Sequence, residues 1–467
     1  MISNSLAQAV LNAALSTGGD YAEIYLERTL TESVVIDQKK VDTANSVESR
    51  GAGIRILQGF RSVYGYTSDL SKKNLLALAK QLAASFEGEP KFQVTSIKKK
   101  KVKTINPIQK RLTEVPIPTR ISYLKECAEA TYGVDPLIAR AQQALFFWHK
   151  DIVIYNAESE IASKFETEEE RGRLMLMALA RDGDKIESGF NAPGASCGWE
   201  YFEKLDHIAK AKEVGQKAME FLHAAECPSG QYPVVISNGW GGVLFHEACG
   251  HPLEASATAK GLSVFSESIG KQIASPLVSA WDDGTIGNEW GSNNLDTEGV
   301  PTAKNELIRD GICVGFMVDR LNGRRLNMPP NGTARRQSYR YAPTSRMSNT
   351  YIAAGKDNPE DIVADTKLGI YVANFGGGSV EPTTGQFNFS ASEAYIIRDG
   401  KICEPVKGCT LIGTGQEVLM NIDRVGNDLA LGQGNCGAAS GMIPVNVGQP
   451  TIRLSKITVG GRGGQLK

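Results

Sequence analysis

The sequence has no long apolar segment and almost no net charge. No stretch approaches the roughly 20 consecutive apolar residues that a membrane-spanning helix needs. The first 20 residues contain no basic region ahead of an apolar core, so they predict an amphipathic helix ended by Gly18 and Gly19, not a signal peptide. The 51 basic residues nearly balance the 52 acidic ones, and this balance gives no reason to expect nucleic acid or a membrane as a partner.

Eight cysteines are present, but they are spread over the whole chain of 467 residues. A small disulfide-stabilised domain would show a compact set of cysteine spacings, which this sequence lacks. Each cysteine is therefore expected to be a buried apolar residue, a nucleophile or a metal ligand, as in proteins of a reducing compartment. We predict a cytoplasmic protein.

One segment, Lys98–Lys103, is strongly basic. No aromatic residue interleaves with its lysines, whereas sites for single-stranded nucleic acid commonly combine positive charge with aromatic stacking. The segment predicts a solvated sheet edge or a linker, with a nucleic-acid site as the less favoured alternative.

The length predicts at least two domains. The first part, residues 1–228, alternates strand-like and helical segments and predicts an α/β domain with an antiparallel sheet. A turn at Cys227–Gly230 ends this part. The predicted strands are Tyr21–Leu26, Glu32–Gln38, Gly53–Gln58, Ser62–Ser68, and a hairpin of Ile138–Trp148 and Asp151–Asn156 around His149-Lys150; the predicted helices are Ser71–Phe86 and Trp199–Ala225.

The second part, residues 229–467, is rich in glycine and in short strand-like segments separated by turns. This pattern predicts a mostly antiparallel β domain, barrel-like or sandwich-like, that carries one metal-binding helix. The fold class expected for the whole chain is therefore α+β.

Histidine is scarce, yet two of the five histidines lie in one short motif, His246-Glu247-Ala248-Cys249-Gly250-His251. Four residues advance an ideal helix by about 40°, but five advance it by about 140°, so these two rings would not share a face of a regular helix. A π-bulge would bring positions i and i+5 together, and such bulges favour functional sites. Gly250 and Pro252 also oppose a regular helix. We predict a helix from about Gly242 that is distorted at the motif.

Two imidazoles and an adjacent carboxylate suggest a catalytic zinc site, which usually has three protein ligands and one position for water. Cys436 lies between glycines and is a candidate third ligand, whereas the Cys249 side chain is expected to point away. Glu254 is a candidate partner for a ligand imidazole or, as an alternative, a ligand itself. From the motif alone, ordinary packing roles for these residues remain the alternative.

The expected chemistry follows from such a site with one zinc ion per active chain. Zinc lowers the pKa of bound water from 15.7 to about 7 and polarises a carbonyl group. Glu247 is next to a ligand without being one, so it can take a proton from water and return it to the leaving amine.

A glycine-rich segment at 374–378 resembles a phosphate-binding loop, but no Lys-Ser/Thr pair follows it. Gly376, Gly377 and Gly378 instead predict a close approach of backbones, with a place in the substrate cleft as a hypothesis.

Three arginines, Arg335, Arg336 and Arg346, offer another contact for a substrate. They could bind a substrate carboxylate or pair with acidic residues of the chain itself. The sequence leaves both alternatives open.

Longer motifs resemble the TldD/PmbA family, and specifically its motif-bearing TldD type. The resemblance is strong from about residue 238 to 460 and looser before that. One departure is Pro252, where glycine is more usual. The matching segments are Gly51–Arg55, Gly65–Thr67, Leu253–Ala255, Thr297–Pro301, Pro343–Tyr351, Asn374–Gly378, Ser392–Tyr395, Pro405–Gly408, Val425–Leu429 and Val447–Thr451.

The resemblance implies a zinc metallopeptidase in which His246, His251 and Cys436 bind the metal and Glu247 is the catalytic base. It implies small or unfolded peptides as substrates, which strand addition would bind in an extended form. It also implies a homodimer, or a heterodimer with a PmbA-type subunit that lacks the motif. The alternative is a non-catalytic zinc protein that regulates DNA gyrase or a toxin–antitoxin pair.

Overall fold

The computed structural model describes residues 1–381 and 384–466. The helices are α1 Asn4–Ala14, α2 Lys72–Ala83, α3 Ile117–Tyr132, α4 Glu200–Lys204, α5 His207–Leu222, α6 Val243–Phe245, α7 Ala255–Thr258, α8 Arg320–Leu326, α9 Pro359–Ala364 and α10 Gly415–Met420.

The strands of the first part are β1 Tyr21–Asp37, β2 Lys40–Gln58, β3 Arg61–Thr67, β4 Ser96–Lys99, β5 Ile138–Ala157, β6 Ile161–Asp182, β7 Lys185–Asn191 and β8 Gly194–Ala195. Those of the second part are β9 Ala225–Glu226, β10 Gly230–Ile236, β11 Ala280–Asp283, β12 Lys304–Arg309, β13 Ile312–Cys313, β14 Ala334–Arg335, β15 Thr344–Ser345, β16 Asn349–Ile352, β17 Leu368–Val380, β18 Gln386–Arg398, β19 Lys401–Lys407, β20 Thr410–Thr414, β21 Ile422–Val425, β22 Ala430–Ala438, β23 Gly441–Gln449 and β24 Ile452–Gly460.

The sheet of the first part has the order β3-β2-β1-β5-β6-β4, in which the short β4 pairs parallel with β6 and the other strands pair antiparallel. Alternation along β1 sorts its side chains onto two faces. Ile24 and Ile36 belong to the cores under the helices, whereas Tyr25 packs against Leu295 and Tyr339 of the second part. The sheet is therefore covered by α1, α2, α3 and α5 on one face and by the second part of the chain on the other.

The structure corrects two of the predicted strand boundaries. Residues 21–37 form one continuous strand, because β1 pairs along its whole length with β2 and β5. His149 and Lys150 do not form a turn, because β5 continues through them and pairs on both sides. The polar pair is tolerated inside the sheet since carboxylates lie beside it: Glu170 is 3.1 Å from the His149 ring, and Glu27 is 3.5 Å from Lys150 Nζ.

The predicted helix Trp199–Ala225 is also wrong in its continuity. It divides into α4 and α5 at Leu205 and Asp206. The Asp206 carboxylate accepts a hydrogen bond from the Ala209 N–H at 2.9 Å and so begins a new helix as its N-cap.

The second part contains a closed barrel, in which β17, β10, β24, β20 and β18 follow one another and β18 returns to β17. A second sheet has the order β13-β12-β11-β16-β23-β22. The α+β class and the barrel-like second part are confirmed, although β10–β17 and β16–β23 are parallel pairs.

The basic segment at 98–103 lies at an edge, as expected. Lys98 and Lys99 end the short strand β4, which is the last strand of its sheet, and Lys100, Lys101 and Lys103 are exposed. Within residues 1–381 and 384–466, no helix is both long enough and apolar enough to cross a membrane.

Candidate metal centre

The histidine motif lies on a short helical segment that changes its winding three times. A 3-10 turn at Trp240–Gly242 leads into α6, a π-helical turn covers His246–Gly250, and a second 3-10 turn covers His251–Leu253. The His251 N–H donates to the His246 carbonyl, which is the i to i+5 hydrogen bond of a π-turn. The predicted distortion is confirmed. Pro252 contributes to it because proline has no N–H to continue a regular helix.

The π-turn brings both predicted imidazoles to the same sulfur atom. Cys436 Sγ is 3.3 Å from His246 Nε2 and 3.1 Å from His251 Nε2. The three atoms all lie within 4.8 Å of one another, and the two rings meet edge to face with centroids 5.0 Å apart. Cys436 lies 190 positions after His246 and 185 after His251 in the sequence, yet the three residues form one compact donor set.

This donor set fits a zinc ion in its chemistry and nearly in its dimensions. Tetrahedral zinc with bonds of about 2.0 Å to nitrogen and about 2.3 Å to sulfur separates the two ligand atoms by roughly 3.6 Å. The observed nitrogen–sulfur distances of 3.3 and 3.1 Å are a few tenths shorter. A small outward movement of the thiol would therefore accommodate the ion.

Cys436 is held in place through its backbone. Its carbonyl accepts a hydrogen bond of 2.8 Å from Arg346 Nη2, and the same guanidinium donates to the Ser440 hydroxyl and the Gly441 carbonyl at 3.1 Å. Two residues earlier, the Gly434 carbonyl accepts from Trp290 Nε1 at 2.7 Å. Arg346 and Trp290 thus fix the edge strand β22, which carries the sulfur.

Close packing fixes the π-turn from two sides. A Cβ atom built on Gly250 would lie 2.2 Å from Met347 Sδ, and one built on Gly415 would lie 2.1 Å from the Ala248 carbonyl oxygen. Gly415 faces backbone, so this position requires glycine, whereas a side chain at Gly250 would have to displace the buried side chain of Met347. The Cys249 side chain belongs to the apolar core and not to the donor set of His246, His251 and Cys436, as expected.

The two glutamates of the motif occupy different positions around His251. Glu254 Oε1 is 3.2 Å from His251 Nδ1, on the side of the ring opposite the sulfur, and 3.7 Å from Arg346 Nε. Glu247 Oε2 is 3.8 Å from His251 Nε2, which is the ring atom that faces the sulfur. Glu254 can orient the imidazole, whereas Glu247 is on the side where a reaction would occur.

Burial and neighbouring charges separate the pKa values of these groups. Burial lowers the pKa of His246 well below its usual value, and His251 and Arg346 add repulsion, so His246 is the neutral form that can donate a lone pair. Burial alone would lower the pKa of His251 as well, but Glu254 and Cys436 together raise it. Burial raises the pKa of Glu247.

The glycine segment of β17 is exposed at Gly376, Gly377 and Gly378. At Gly378 an added Cβ would lie 2.6 Å from the backbone carbonyl oxygen of Asn388 and 2.0 Å from the Phe389 ring, so the predicted close approach of backbones occurs here, between β17 and β18. On its other side β17 pairs with β10 only at Ile370–Val372. Within the described chain, no strand pairs with the outer edge of Gly376–Gly378.

A second group of possible ligands, His149, Asp151 and Glu168, lies on the sheet of the first part. Arg111 enters this group, with Nη2 2.9 Å from Glu168 and Nη1 3.4 Å from His149 Nδ1. A guanidinium among the carboxylates satisfies them with its own charge, so this group is an ion-pair network and not a metal site.

All three arginines left open by the sequence bind groups of the chain itself, Arg335 through one hydrogen bond to the Met347 carbonyl. Arg336 pairs with the buried carboxylate of Glu23, and Arg346 binds the backbone around Cys436. The role of Arg346 and Gly415 beside the donor set had no signal in the sequence, because both are distant from the motif along the chain.

Comparisons with known proteins agree with this architecture. Three family models match the chain: PmbA/TldA metallopeptidase domain 1 over residues 22–86, the central domain over 110–222 and the C-terminal domain over 229–461. The chain is 36% identical over 455 residues to a protein named Metalloprotease TldD homolog from Haemophilus influenzae, which covers 95% of this chain and 93% of that protein. A protein of the same name from Buchnera aphidicola subsp. Acyrthosiphon pisum is 34% identical over 458 residues, with the same coverage.

The fold is also similar to that of a solved structure from Thermotoga maritima, described as a modulator of a DNA gyrase. The TM-score is 0.77 at 19% identity, and the match covers 94% of this chain and 96% of the other. At this identity the likeness concerns the fold alone.

Proposed function

Because the chain belongs to the PmbA/TldA metallopeptidase family, we propose that it hydrolyses peptides with one zinc ion bound by His246, His251 and Cys436. The observation that carries this proposal is the meeting of three donor atoms within 4.8 Å of one another, beside a glutamate that is not part of the donor set. A structural zinc site normally fills its fourth position with a protein ligand, whereas a catalytic site leaves it for water.

The protein groups divide the remaining chemistry between them. Zinc in such a site supplies Lewis-acid activation of water and of the scissile carbonyl. Glu247 accepts the proton of the attacking water and delivers it to the leaving amine. Glu254, with Oε1 3.2 Å from His251 Nδ1, attracts that side of the ring by its charge and would keep Nε2 directed at the metal position.

The substrate is proposed to be a small or unfolded peptide bound in an extended form at Gly376, Gly377 and Gly378. The unpaired edge of this segment offers backbone groups for strand addition. Trp240, at the start of the metal-binding segment, donates from Nε1 to the Phe375 carbonyl at 3.0 Å. This contact connects the exposed edge to the donor set. The outer edge of β22 is less suitable, because Arg346 and Trp290 already bind its carbonyls.

Assembly, location and domain division are proposed with the same function. The protein would act in the cytoplasm, in keeping with eight unpaired cysteines, and as a homodimer or a heterodimer with a PmbA-type subunit. The division into residues 1–228 and 229–467 is supported by the family match that begins at 229.

The test is the substitution Glu247→Gln, which removes the base and keeps the size of the side chain. We expect about one zinc per chain in both proteins by metal analysis, and loss of cleavage of an unstructured peptide by a factor of at least about 10². The matched control is Glu417→Gln, an exposed glutamate of the neighbouring helix α10, which should cleave normally.

Two results would contradict the assignment. Normal cleavage by the Glu247→Gln protein would remove Glu247 from the reaction. If the zinc-loaded wild-type protein cleaves no peptide of a complex mixture, and a chelator unfolds it, the non-catalytic regulatory function becomes the better interpretation.

A further inference from the structure

A cavity of about 510 Å³ lies between the sheet of the first part and the second part of the chain. Its walls include Trp148 of β5 on one side and Asn435 and Ile443 of the β22–β23 hairpin on the other. Ile443 is the strand partner of Cys436 and packs against it. The cavity therefore adjoins the candidate metal centre.

The charge of the lining is positive. Five cationic side chains and two carboxylates face the cavity. Arg171 pairs with Glu169 at 2.7 Å and Lys150 lies 3.5 Å from Glu27, so these two carboxylates are already neutralised by cations. Arg336 is paired with Glu23 outside the cavity, so Arg335 and Arg340 carry the surplus charge, which favours an anion in the remaining space.

Arg335 is the buried cation of this lining for which no carboxylate lies within ion-pair distance among the described residues; Arg340 also lacks such a partner but is exposed. It is only 4% exposed, and its hydrogen bond in the described chain runs from Nη1 to the Met347 carbonyl at 2.6 Å. Its Nε and Nη2 make no hydrogen bond within the described chain. Because Arg335 lines the cavity, these two donors are available to a group bound there.

An unpaired guanidinium in this position is costly to the folded protein. Burial, and then repulsion from Arg171, lowers the pKa of Arg335 to about 9 against the weaker opposing charges of Glu169 and Asp282, so the group stays charged at neutral pH. One carbonyl contact does not compensate a buried charge. A bound carboxylate would, because it accepts two parallel hydrogen bonds from the fork of a guanidinium.

We propose that this cavity is a substrate subsite in which Arg335 binds a carboxylate of the peptide. The inference rests on the proposed peptidase function and specifies its substrate class. The carboxylate is either the carboxyl terminus of a short peptide or an Asp or Glu side chain near the cleaved bond. Arg335 is thus a specificity-determining residue and takes no part in bond cleavage.

The experiment measures binding to the Glu247→Gln protein, loaded with zinc, so that the result does not depend on cleavage. Four fluorescent peptides of one unstructured sequence are compared: a free carboxyl terminus or a carboxamide, each with an internal Glu or Gln. We expect at least one carboxylate to tighten binding about tenfold. Tighter binding of the free carboxyl terminus than of the carboxamide identifies the terminus as the bound carboxylate. Tighter binding of the Glu peptide than of the Gln peptide identifies a side chain.

Variants locate the carboxylate contact. Arg335→Gln in the same background should bind all four peptides equally weakly. Arg335→Lys keeps the positive charge but cannot make two parallel hydrogen bonds to a carboxylate, so it should keep part of the preference for carboxylate peptides. Arg309→Gln is the control, because Arg309 is exposed and pairs locally with Glu306. Circular dichroism establishes that each variant is folded.

The proposal is overturned if neither carboxylate improves binding, or if the folded Arg335→Gln protein keeps the preference. The comparison of the four peptides on the Glu247→Gln protein needs no Arg335 variant, so it tests the carboxylate preference even if Arg335→Gln does not fold. Failure of the peptidase function has a different signature, since the zinc-loaded wild-type protein would bind the carboxylate peptides without cleaving them.

Discussion

At the scale of single residues, partners decide whether a polar side chain can lie inside a sheet. His149 lies in the middle of β5, where its Nδ1 is 3.1 Å from the fully buried carboxylate of Glu170 and its Nε2 is 3.4 Å from Asp151. A residue that would favour a turn in isolation is therefore held in a strand, because its charged form has two carboxylate neighbours.

We predict that His149 stabilises the protein more strongly in acid than in base. The hydrogen bond to Glu170, followed by the charge of Asp151, raises the pKa of His149 against the opposing effect of burial. A raised folded pKa gives stability that is complete below the unfolded value of about 6.5 and is lost as the pH rises through the folded value. Urea unfolding should thus show a larger destabilisation by His149→Gln at about pH 5.5 than at about pH 8.5.

The control for this prediction is His223→Gln, since His223 is exposed. Its effect on the free energy of unfolding should be small and similar at both pH values. A destabilisation by His149→Gln that grows with increasing pH would show that the histidine is buried in its neutral form.

At the scale of the element, a π-turn persists only where neighbouring atoms leave no room for a regular helix. The Ala248 carbonyl lies directly against Gly415, the first residue of α10. A β-carbon at that position would press on backbone, which cannot move aside as a flexible side chain can. The spacing of His246 and His251 therefore depends on a glycine that binds no metal.

The substitution Gly415→Ala should weaken zinc binding without removing a ligand. The added methyl group would push the π-turn away and widen the donor set, so we expect at least a tenfold rise in the zinc dissociation constant, of the size seen when residues that support a ligand are changed. Competition with a zinc indicator measures it.

The matched control is Gly460→Ala, where an added Cβ would meet only ordinary contacts of 3.6 Å or more. It should bind zinc as the wild-type protein does. Equal affinities of all three proteins would mean that the π-turn does not depend on Gly415.

At the scale of the whole molecule, buried ion pairs join the two parts of the chain. Glu23 of β1 pairs with Arg55 at 3.0 Å and with Arg336 of the second part, and Arg55 also pairs with Glu298. All four side chains are almost fully buried. Such a network contributes little if it is replaced as a unit, but it is costly to break at one member.

We predict that Glu23→Gln destabilises the protein by about 3–5 kcal/mol, because it leaves two buried guanidinium groups short of one carboxylate. The fall in the free energy of unfolding can be measured with urea. Glu48→Gln is the control, since Glu48 is an exposed partner of Arg28, and it should change little. Equal effects of the two substitutions would show that the interface is open to water.

Removal of the proposed zinc ion should abolish cleavage but leave the fold intact. The donor set borders an extensive apolar core that includes Leu244, Phe245 and Ala248 of the histidine-bearing segment itself, so we expect folding not to depend on the ion. After chelation we expect an unchanged circular dichroism spectrum. The thermal unfolding midpoint should fall only as far as the loss of metal-binding free energy requires. Unfolding on chelation would instead favour a structural role for the metal.

Much of the site could be predicted from the sequence because its constraints are local. The two rings of His246 and His251 could not share a face of a regular helix, and Pro252 removes an N–H, so a distorted helix could be predicted from these residues, whereas the contact with Gly415 could not. The fold class likewise follows from the alternation of apolar and polar residues within short segments of the chain. The errors at His149 and at Leu205–Asp206 arose because pairing with distant strands and a local N-cap outweighed simple periodicity.

The sequence by itself determined the α+β class, the distorted histidine motif and the identity of the candidate donors. Only the tertiary structure brought Cys436 to within 3.3 Å of both imidazoles, set Gly415 against the π-turn and left Arg335 without a carboxylate at a cavity. The physical reason is that local patterns fix backbone geometry over a few residues, whereas contacts between distant segments depend on how complete sheets and cores pack.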